Sequence, residues 1–174
     1  MERERKILLT TEQINKRTIE LAKIISKDYT GREITLIGVL KGCLMFMADL
    51  IQHLECPFTC DFVQVTTSFS KEKGEPSKKN IFFTSNFTVK DKDVLVIEDI
   101  LDTGITASYL MSHLKIEDPR SLKICVLLDK PTARRAEIEA DYVGFEIPDK
   151  YIFGYGLDYN EHLRGLPYIC YYED

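Results

Sequence analysis

What this chain lacks narrows its function before any motif is read. No apolar run approaches the roughly 20 residues that a membrane-spanning helix needs, and Met1-Glu2-Arg3-Glu4-Arg5-Lys6 is too charged to open a signal peptide. Basic charge is not in excess. With 23 Lys and Arg against 28 Asp and Glu, the net charge of −5 argues against binding nucleic acid by general electrostatics. A disulfide framework is missing as well, because five cysteines (Cys43, Cys56, Cys60, Cys125, Cys170) are odd in number and irregular in spacing. His53, Cys56 and Cys60 have a metal-like spacing but no evident fourth ligand, and Pro57-Phe58 reads as a turn entering a strand, so these are read as reduced thiols. The P-loop pattern Gly-x4-Gly-Lys-Ser/Thr does not occur. No internal repeat is visible. At 174 residues, 44% of them hydrophobic and 29% charged, the chain suits one soluble, cytoplasmic domain over residues 1–174, burying about 70% of its unfolded surface.

What is present centres on Val94-Leu95-Val96-Ile97-Glu98-Asp99-Ile100-Leu101-Asp102-Thr103-Gly104-Ile105-Thr106. Four consecutive apolar residues, three of them β-branched, predict a strand buried on both faces, as inside a parallel sheet. Two acids follow, then a third acid and a small, hydroxyl-rich turn. Beyond it, residues 107–115 place Leu110, Met111 and Leu114 at helical spacing. A strand end, an acidic pair, a small turn and a helix start together describe a ligand site at the carboxyl edge of an open α/β sheet. The N–H groups of the turn and helix start suit a phosphate. Acids cannot hold phosphate themselves, so Glu98 and Asp99 call for a mediator such as Mg²⁺ or for sugar hydroxyls.

Acid-acid-x-x-Asp-Thr-Gly-x-Thr after an apolar strand resembles the phosphoribosyl-pyrophosphate signature of the type I phosphoribosyltransferases. Further motifs point to their hypoxanthine-guanine branch. Leu40-Lys41-Gly42, closing an apolar strand at 34–40 and leading into a helical pattern at 44–54, is similar to the branch's pyrophosphate loop, in which the bond before the lysine is often cis. Asp149-Lys150-Tyr151-Ile152 and Gly154-Tyr155-Gly156-Leu157-Asp158-Tyr159 resemble its base-binding hood, with tyrosine at 151 where phenylalanine is usual. Arg164 matches its pyrophosphate-side arginine. The resemblance spans about residues 36–168, with the motifs in the family's order.

The rest of the chain fits an α/β domain. Thr10 or Thr11 can cap a first helix at 12–27, with Ile14, Ile19, Leu21, Ile24 and Ile25 mainly on one face. Strands are expected at 62–65, 81–84, 122–128 and 142–145. Residues 66–80 turn to Ser, Thr, Lys, Gly and Pro, the composition of a solvated hairpin tip. In the family this region is a mobile loop that closes over the site, but its Ser-Tyr pair is absent here. The aromatic, glycine-rich segment from 147 onward has the mass for a small hood. The expected fold is a type I phosphoribosyltransferase-like open, mainly parallel sheet flanked by helices, with the hood formed mainly by about 147–174.

The resemblance assigns the groups of 5-phosphoribosyl 1-pyrophosphate to particular residues. Thr103, Gly104, Ile105 and Thr106 would take the 5′-phosphate, and Glu98 and Asp99 the ribose hydroxyls. Lys41, the Gly42 amide, Arg164 and Mg²⁺ would take the pyrophosphate, with a second Mg²⁺ against Asp158. Asp102 is the candidate base for the N7 proton of the incoming purine; a helix N-cap is its structural alternative. Lys130 at a strand end is donor-only, so it suits the carbonyl O6 of hypoxanthine or guanine and not the amine of adenine. Tyr151 would stack on the base and Ile152 would offer backbone groups to its edge. The implied reaction is phosphoribosyl transfer to N9, giving IMP or GMP and pyrophosphate, in a homodimer or homotetramer without nucleic-acid or membrane partners. Two alternatives stand beside it: a phosphoribosyl-pyrophosphate-sensing regulator that binds nucleic acid, and a phosphoribosyltransferase for another base such as xanthine or a pyrimidine.

Overall fold

A computed structural model describes residues 4–69, 76–83 and 88–173. Its elements run β1 (Arg5–Leu9), α1 (Thr11–Asp28), β2 (Ile34–Leu40), α2 (Leu44–Ile51), β3 (Phe58–Phe69), β4 (Pro76–Phe83), β5 (Asp93–Leu101), α3 (Ile105–Ile116), β6 (Ser121–Asp129), a 3₁₀ turn at Pro131–Ala133, β7 (Tyr142–Glu146), β8 (Ile152–Phe153) and β9 (Ile169–Tyr172). Six strands form the main sheet in the order β4-β3-β2-β5-β6-β7. All its pairings are parallel except β3 with β4.

The apolar runs at 34–40, 94–97 and 122–128 become β2, β5 and β6, interior strands of the sheet with a neighbour on each side. Their side chains alternate between two cores. Leu36, Leu95, Ile97, Cys125 and Leu127 face α1 and α2, meeting Ile14, Leu21, Ile25, Phe46 and Leu50. Ile37, Val39, Val94, Val96, Ile124 and Val126 face α3, meeting Ala107, Leu110 and Leu114. Each fully buried Leu, Ile or Val in these layers contributes about 1.5–3 kcal/mol relative to exposure. Helix α1 starts with a capping box: Thr10 Oγ1 accepts from the Gln13 amide, and Gln13 Oε1 accepts from the Thr10 amide. Ile24, counted with the apolar face above, is instead exposed.

Two features differ from expectation. Strands β3 and β4 run into the segment read as a hairpin tip, pairing from Val63↔Phe83 to Phe69↔Pro76, because the β-branched Val65, Thr66 and Thr67 extend the strand. Residues 70–75 of that segment, and position 84 of the next predicted strand, lie outside the described residues. The hood is also not purely C-terminal. It is a three-stranded antiparallel sheet, β1-β9-β8, in which Arg5 faces Tyr172 and Ile7 faces Cys170. Leu9, Ile152, Tyr155 and Ile169 bury the hood's inner face against the α1 and α2 layer. Thr11 Oγ1 ties the start of α1 to the Pro167 carbonyl at 2.7 Å. All five cysteines are unpaired, four of them buried. No described helix is long and apolar enough to cross a membrane.

Candidate active site

Parallel pairing brings the carboxyl ends of β2, β5 and β6 to one edge of the sheet, the usual ligand edge of open α/β folds. Lys41-Gly42 follows β2, Glu98, Asp99 and Asp102 lie on or just after β5, and Lys130 follows β6. Strand β5 does not stop before the acids but continues through them to Leu101. Asp99 is therefore buried, and Glu98 half-buried with its Oε2 enclosed and without a hydrogen-bond partner. Burial pushes the Glu98 carboxyl well above its ordinary range, and the neighbouring Asp99 pushes it further. Asp99 is raised by the same loss of solvent, against the hydrogen bond from Glu98, the Ile100 amide and the charge of Arg164. Two enclosed carboxyls that resist ionising together lack positive charge, and such a site favours a cation or hydroxyl donors.

The Leu40–Lys41 peptide is cis, and the loop after it lies against the acids. A Cβ built on Gly42 would fall 1.5 Å from Asp99 Oδ2, so only glycine fits there. The hood closes on the same loop: a Cβ on Gly156 would lie 2.1 Å from the Gly42 carbonyl oxygen. Tyr155 fixes this contact, its hydroxyl donating to Asp49 Oδ2 of α2 at 2.6 Å.

Beyond β5, Asp102, Thr103, Gly104 and Thr106 line a recess of about 260 Å³ together with Glu98 and Ala107. Gly104 is the N-cap of α3, with φ +77° and no side-chain cap. This corrects the alternative reading of Asp102: the helix starts two residues too late for it to be the cap. Among the described residues the Asp102 carboxylate makes no hydrogen bond, and only its carbonyl is engaged, accepting from Arg134 Nη1 at 2.8 Å. Gly104 has no side chain to cap the helix, and the Ile105 amide reaches only the Thr103 hydroxyl at 3.5 Å, so the start of α3 can still offer N–H groups to an anion.

Arg134 was not singled out by sequence. Its guanidinium also pairs with Asp129 at the end of β6, both side chains being largely buried. Around it the chain after β6 is stitched to the turn after β5. The Lys130 amide donates to the Leu101 carbonyl at 3.0 Å, and the Arg135 and Ala136 amides donate to Thr103 O at 2.9 and 3.1 Å. An arginine in Pro131-Thr132-Ala133-Arg134-Arg135 carries no sequence signal, because its partners stand 5 and 32 residues away.

Lys130 is 6% exposed, with its ammonium 3.5 Å from Asp149 Oδ1 at the mouth of the hood. Tyr151 is 64% exposed, an open ring face beside Asp158, whose carbonyl accepts from its hydroxyl at 3.4 Å. Ile152 sits in β8 opposite Tyr171 with its side chain buried. A recess of about 630 Å³ opens beside Tyr151, between Asp149, Tyr159 and Tyr171. Between β8 and β9, Arg164 pairs with Asp158 Oδ1 at 2.6 Å and reaches Glu161 Oε2 at 3.7 Å, while Lys41 Nζ donates to the same Glu161 oxygen at 2.8 Å. The residues named from sequence thus meet around one edge. The metal candidates do not form a single cluster, since no three His, Cys, Asp or Glu side chains converge among the described residues.

Residues 4–160 match the family model of the phosphoribosyl transferase domain. The hypoxanthine-guanine phosphoribosyltransferase of Bacillus subtilis (strain 168) is 43% identical over 164 residues, 94% of this chain and 91% of that one. Among solved structures, a hypoxanthine phosphoribosyltransferase from Staphylococcus aureus superposes with a TM-score of 0.89 at 42% identity, covering 97% of this chain and 91% of that one. A hypoxanthine-guanine phosphoribosyltransferase from Bacillus anthracis str. 'Ames Ancestor' does so with a TM-score of 0.90 at 39% identity, covering 99% and 100%. The chain therefore belongs to the phosphoribosyltransferase family, in its hypoxanthine-guanine branch.

Proposed function

We propose that the protein transfers the phosphoribosyl group of 5-phosphoribosyl 1-pyrophosphate to N9 of hypoxanthine or guanine, releasing pyrophosphate and forming IMP or GMP for purine salvage. The observation that carries this reading is the gathering of a carboxyl pair, a glycine-capped helix start and a donor-only lysine at one sheet edge beneath a tyrosine-bearing hood. In this reading the amides and hydroxyls from Thr103 to Thr106 hold the 5′-phosphate. Glu98 and Asp99 accept from the ribose 2′- and 3′-hydroxyls. Lys41, the Gly42 amide and Arg164 take the pyrophosphate. Lys130 donates to O6, Tyr151 stacks on the purine, and Ile152 meets its edge.

Bond breaking at C1 builds positive charge on C1 and the ring oxygen, and the enclosed carboxylates below the ribose stabilise it electrostatically. Asp102, uncommitted to any cap, takes the N7 proton as N9 bonds to C1. The burial and unpartnered oxygen of the Glu98–Asp99 pair fit a hard dication. Two carboxylates with the remaining ligands from substrate oxygens and water is the habit of Mg²⁺. Glu98 and Asp99 would hold one ion and Asp158 a second; Mg²⁺ supplies charge neutralisation to the leaving pyrophosphate. The reading includes one phosphoribosyltransferase domain, small-molecule substrates, a cytoplasmic setting and a homodimer or homotetramer. The net charge of −5 weighs against the nucleic-acid-binding alternative.

The test is a panel. Purified protein receives phosphoribosyl pyrophosphate and Mg²⁺ with hypoxanthine, guanine, xanthine, adenine, uracil or orotate, and nucleotide is resolved by chromatography. Product from hypoxanthine or guanine is expected. Product only from another base would replace the substrate, and tight phosphoribosyl-pyrophosphate binding without turnover would replace the activity with a sensor.

A further inference from the structure

The two cationic side chains that the proposed function gives to the leaving pyrophosphate are both already satisfied by acids of one turn. Lys41 Nζ donates to Glu161 Oε2 at 2.8 Å, and Arg164 sits 3.7 Å from that same oxygen and 2.6 Å from Asp158 Oδ1. Glu161 thus lies between Lys41, on the loop after β2, and Arg164, on the hood turn. The turn is shaped to present it. Asn160 and Glu161 both have positive φ, 51° and 65°, the Glu161 amide donates to Asp158 Oδ2 at 2.8 Å, and Tyr159 and His162 close the turn by paired backbone bonds. The Glu161 side chain is 68% exposed and that of Lys41 57%, so the bridge packs nothing and can open without disturbing the core.

We infer that Glu161 is an internal counterion that occupies the Lys41–Arg164 seat in place of pyrophosphate and sets how tightly that seat holds it. This rests on the reading of Lys41 and Arg164 as pyrophosphate ligands. A carboxylate tethered beside two cations competes at high effective concentration, so an incoming diphosphate has to displace it. Once displaced, it stays near the departing anion as a like charge. Both effects weaken pyrophosphate binding and favour its release, which is useful when pyrophosphate is a product. The pair is solvent-exposed, so the effect is modest and falls with salt.

The test is calorimetric titration of pyrophosphate, with Mg²⁺ in excess and low ionic strength, into the wild type, Glu161→Gln, Lys41→Met and the double variant. Glu161→Gln is expected to tighten pyrophosphate by about three- to sixfold, the size of an exposed ion pair. The gain should disappear in the Lys41→Met background and shrink in 0.5 M salt, about the point at which exposed charges are screened. The product-inhibition constant for pyrophosphate should fall by the same factor. If Glu161→Gln binds pyrophosphate equally or more weakly while Lys41→Met weakens it, the counterion role is overturned and the pyrophosphate seat stands. If Lys41→Met leaves binding unchanged, the seat itself has been misassigned.

Discussion

Glu98 and Asp99 lie within β5, with β2 and β6 hydrogen-bonded on either side, and their carboxyls are enclosed and short of partners. Asp158, Glu161 and Arg164 lie on a turn of which Glu161 is exposed and the other two half-buried, with their charges cancelled by one another and by Lys41. The first region is electrostatically unfinished; the second is satisfied, by a half-buried Asp158–Arg164 pair and an exposed Lys41–Glu161 pair. Ligand therefore completes the first and exchanges partners in the second. This division suits a reaction in which the ribose is held at a fixed place while a diphosphate departs.

The largest expected effect comes from removing the uncommitted acid between these regions. Asp102→Asn should lower kcat by about 10²–10⁴-fold, the usual worth of a positioned base. Its melting temperature should hardly move, because the side chain makes no hydrogen bond among the described residues. A variant that melted early but kept its turnover would make Asp102 structural. Breaking the support beneath it should do the reverse. Arg134→Met leaves Asp129 largely buried without its cation and the Asp102 carbonyl without its donor, which costs about 3 kcal/mol. Urea unfolding would show it as a lowered midpoint, and turnover would fall less than in Asp102→Asn.

A smaller effect is expected where the hood meets the helical layer. Tyr155→Phe removes the bond to Asp49 and leaves that carboxylate half-buried, a loss of about 1.5 kcal/mol, or roughly 3–6 °C in Tm for a chain of this size. The hydrophobic contacts of the ring persist, so the hood should still close on the Gly42 loop. An unchanged Tm would mean that packing alone positions the hood.

The same contrast explains what could be read from the chain. The first region was legible because burial on both faces of a parallel strand demands an apolar run, and β2, β5 and β6 sit where the runs at 34–40, 94–97 and 122–128 placed them. The acids stood out because charge directly continuing such a run is costly unless a ligand uses it. What was missed depends on distant partners. Strand β1 exists because β9, some 160 residues on, supplies its ladder; Arg5-Lys6-Ile7 alone reads as a charged terminus. Arg134 gains its role only from Asp129 and Asp102, and Glu161 only from Lys41 across the site. The cap of α3 went to Gly104 rather than to Asp102 because the turn needs a left-handed residue just before the helix, and glycine takes that conformation without strain.

The least of the expected effects tests whether the acidic pair is unfinished in the ligand-free protein. A carboxyl raised in the folded state binds its proton more tightly there than in the unfolded chain. Its contribution to stability is then fully present below the ordinary carboxylate range and is lost as pH rises toward the raised folded value. Ligand-free protein should therefore lose stability with rising pH over that window. Glu98→Gln carries no proton to lose, and its amide can donate to Asp99. It should flatten the dependence and raise stability at pH 7 by about 1 kcal/mol, seen as about 2–4 °C in Tm. Mg²⁺ with phosphoribosyl pyrophosphate should raise the Tm of the wild type and do much less for the variant. A Glu98→Gln protein that is no more stable at pH 7, and keeps the wild-type pH slope, would show that the pair is already satisfied by the protein and that ligand adds nothing it lacks.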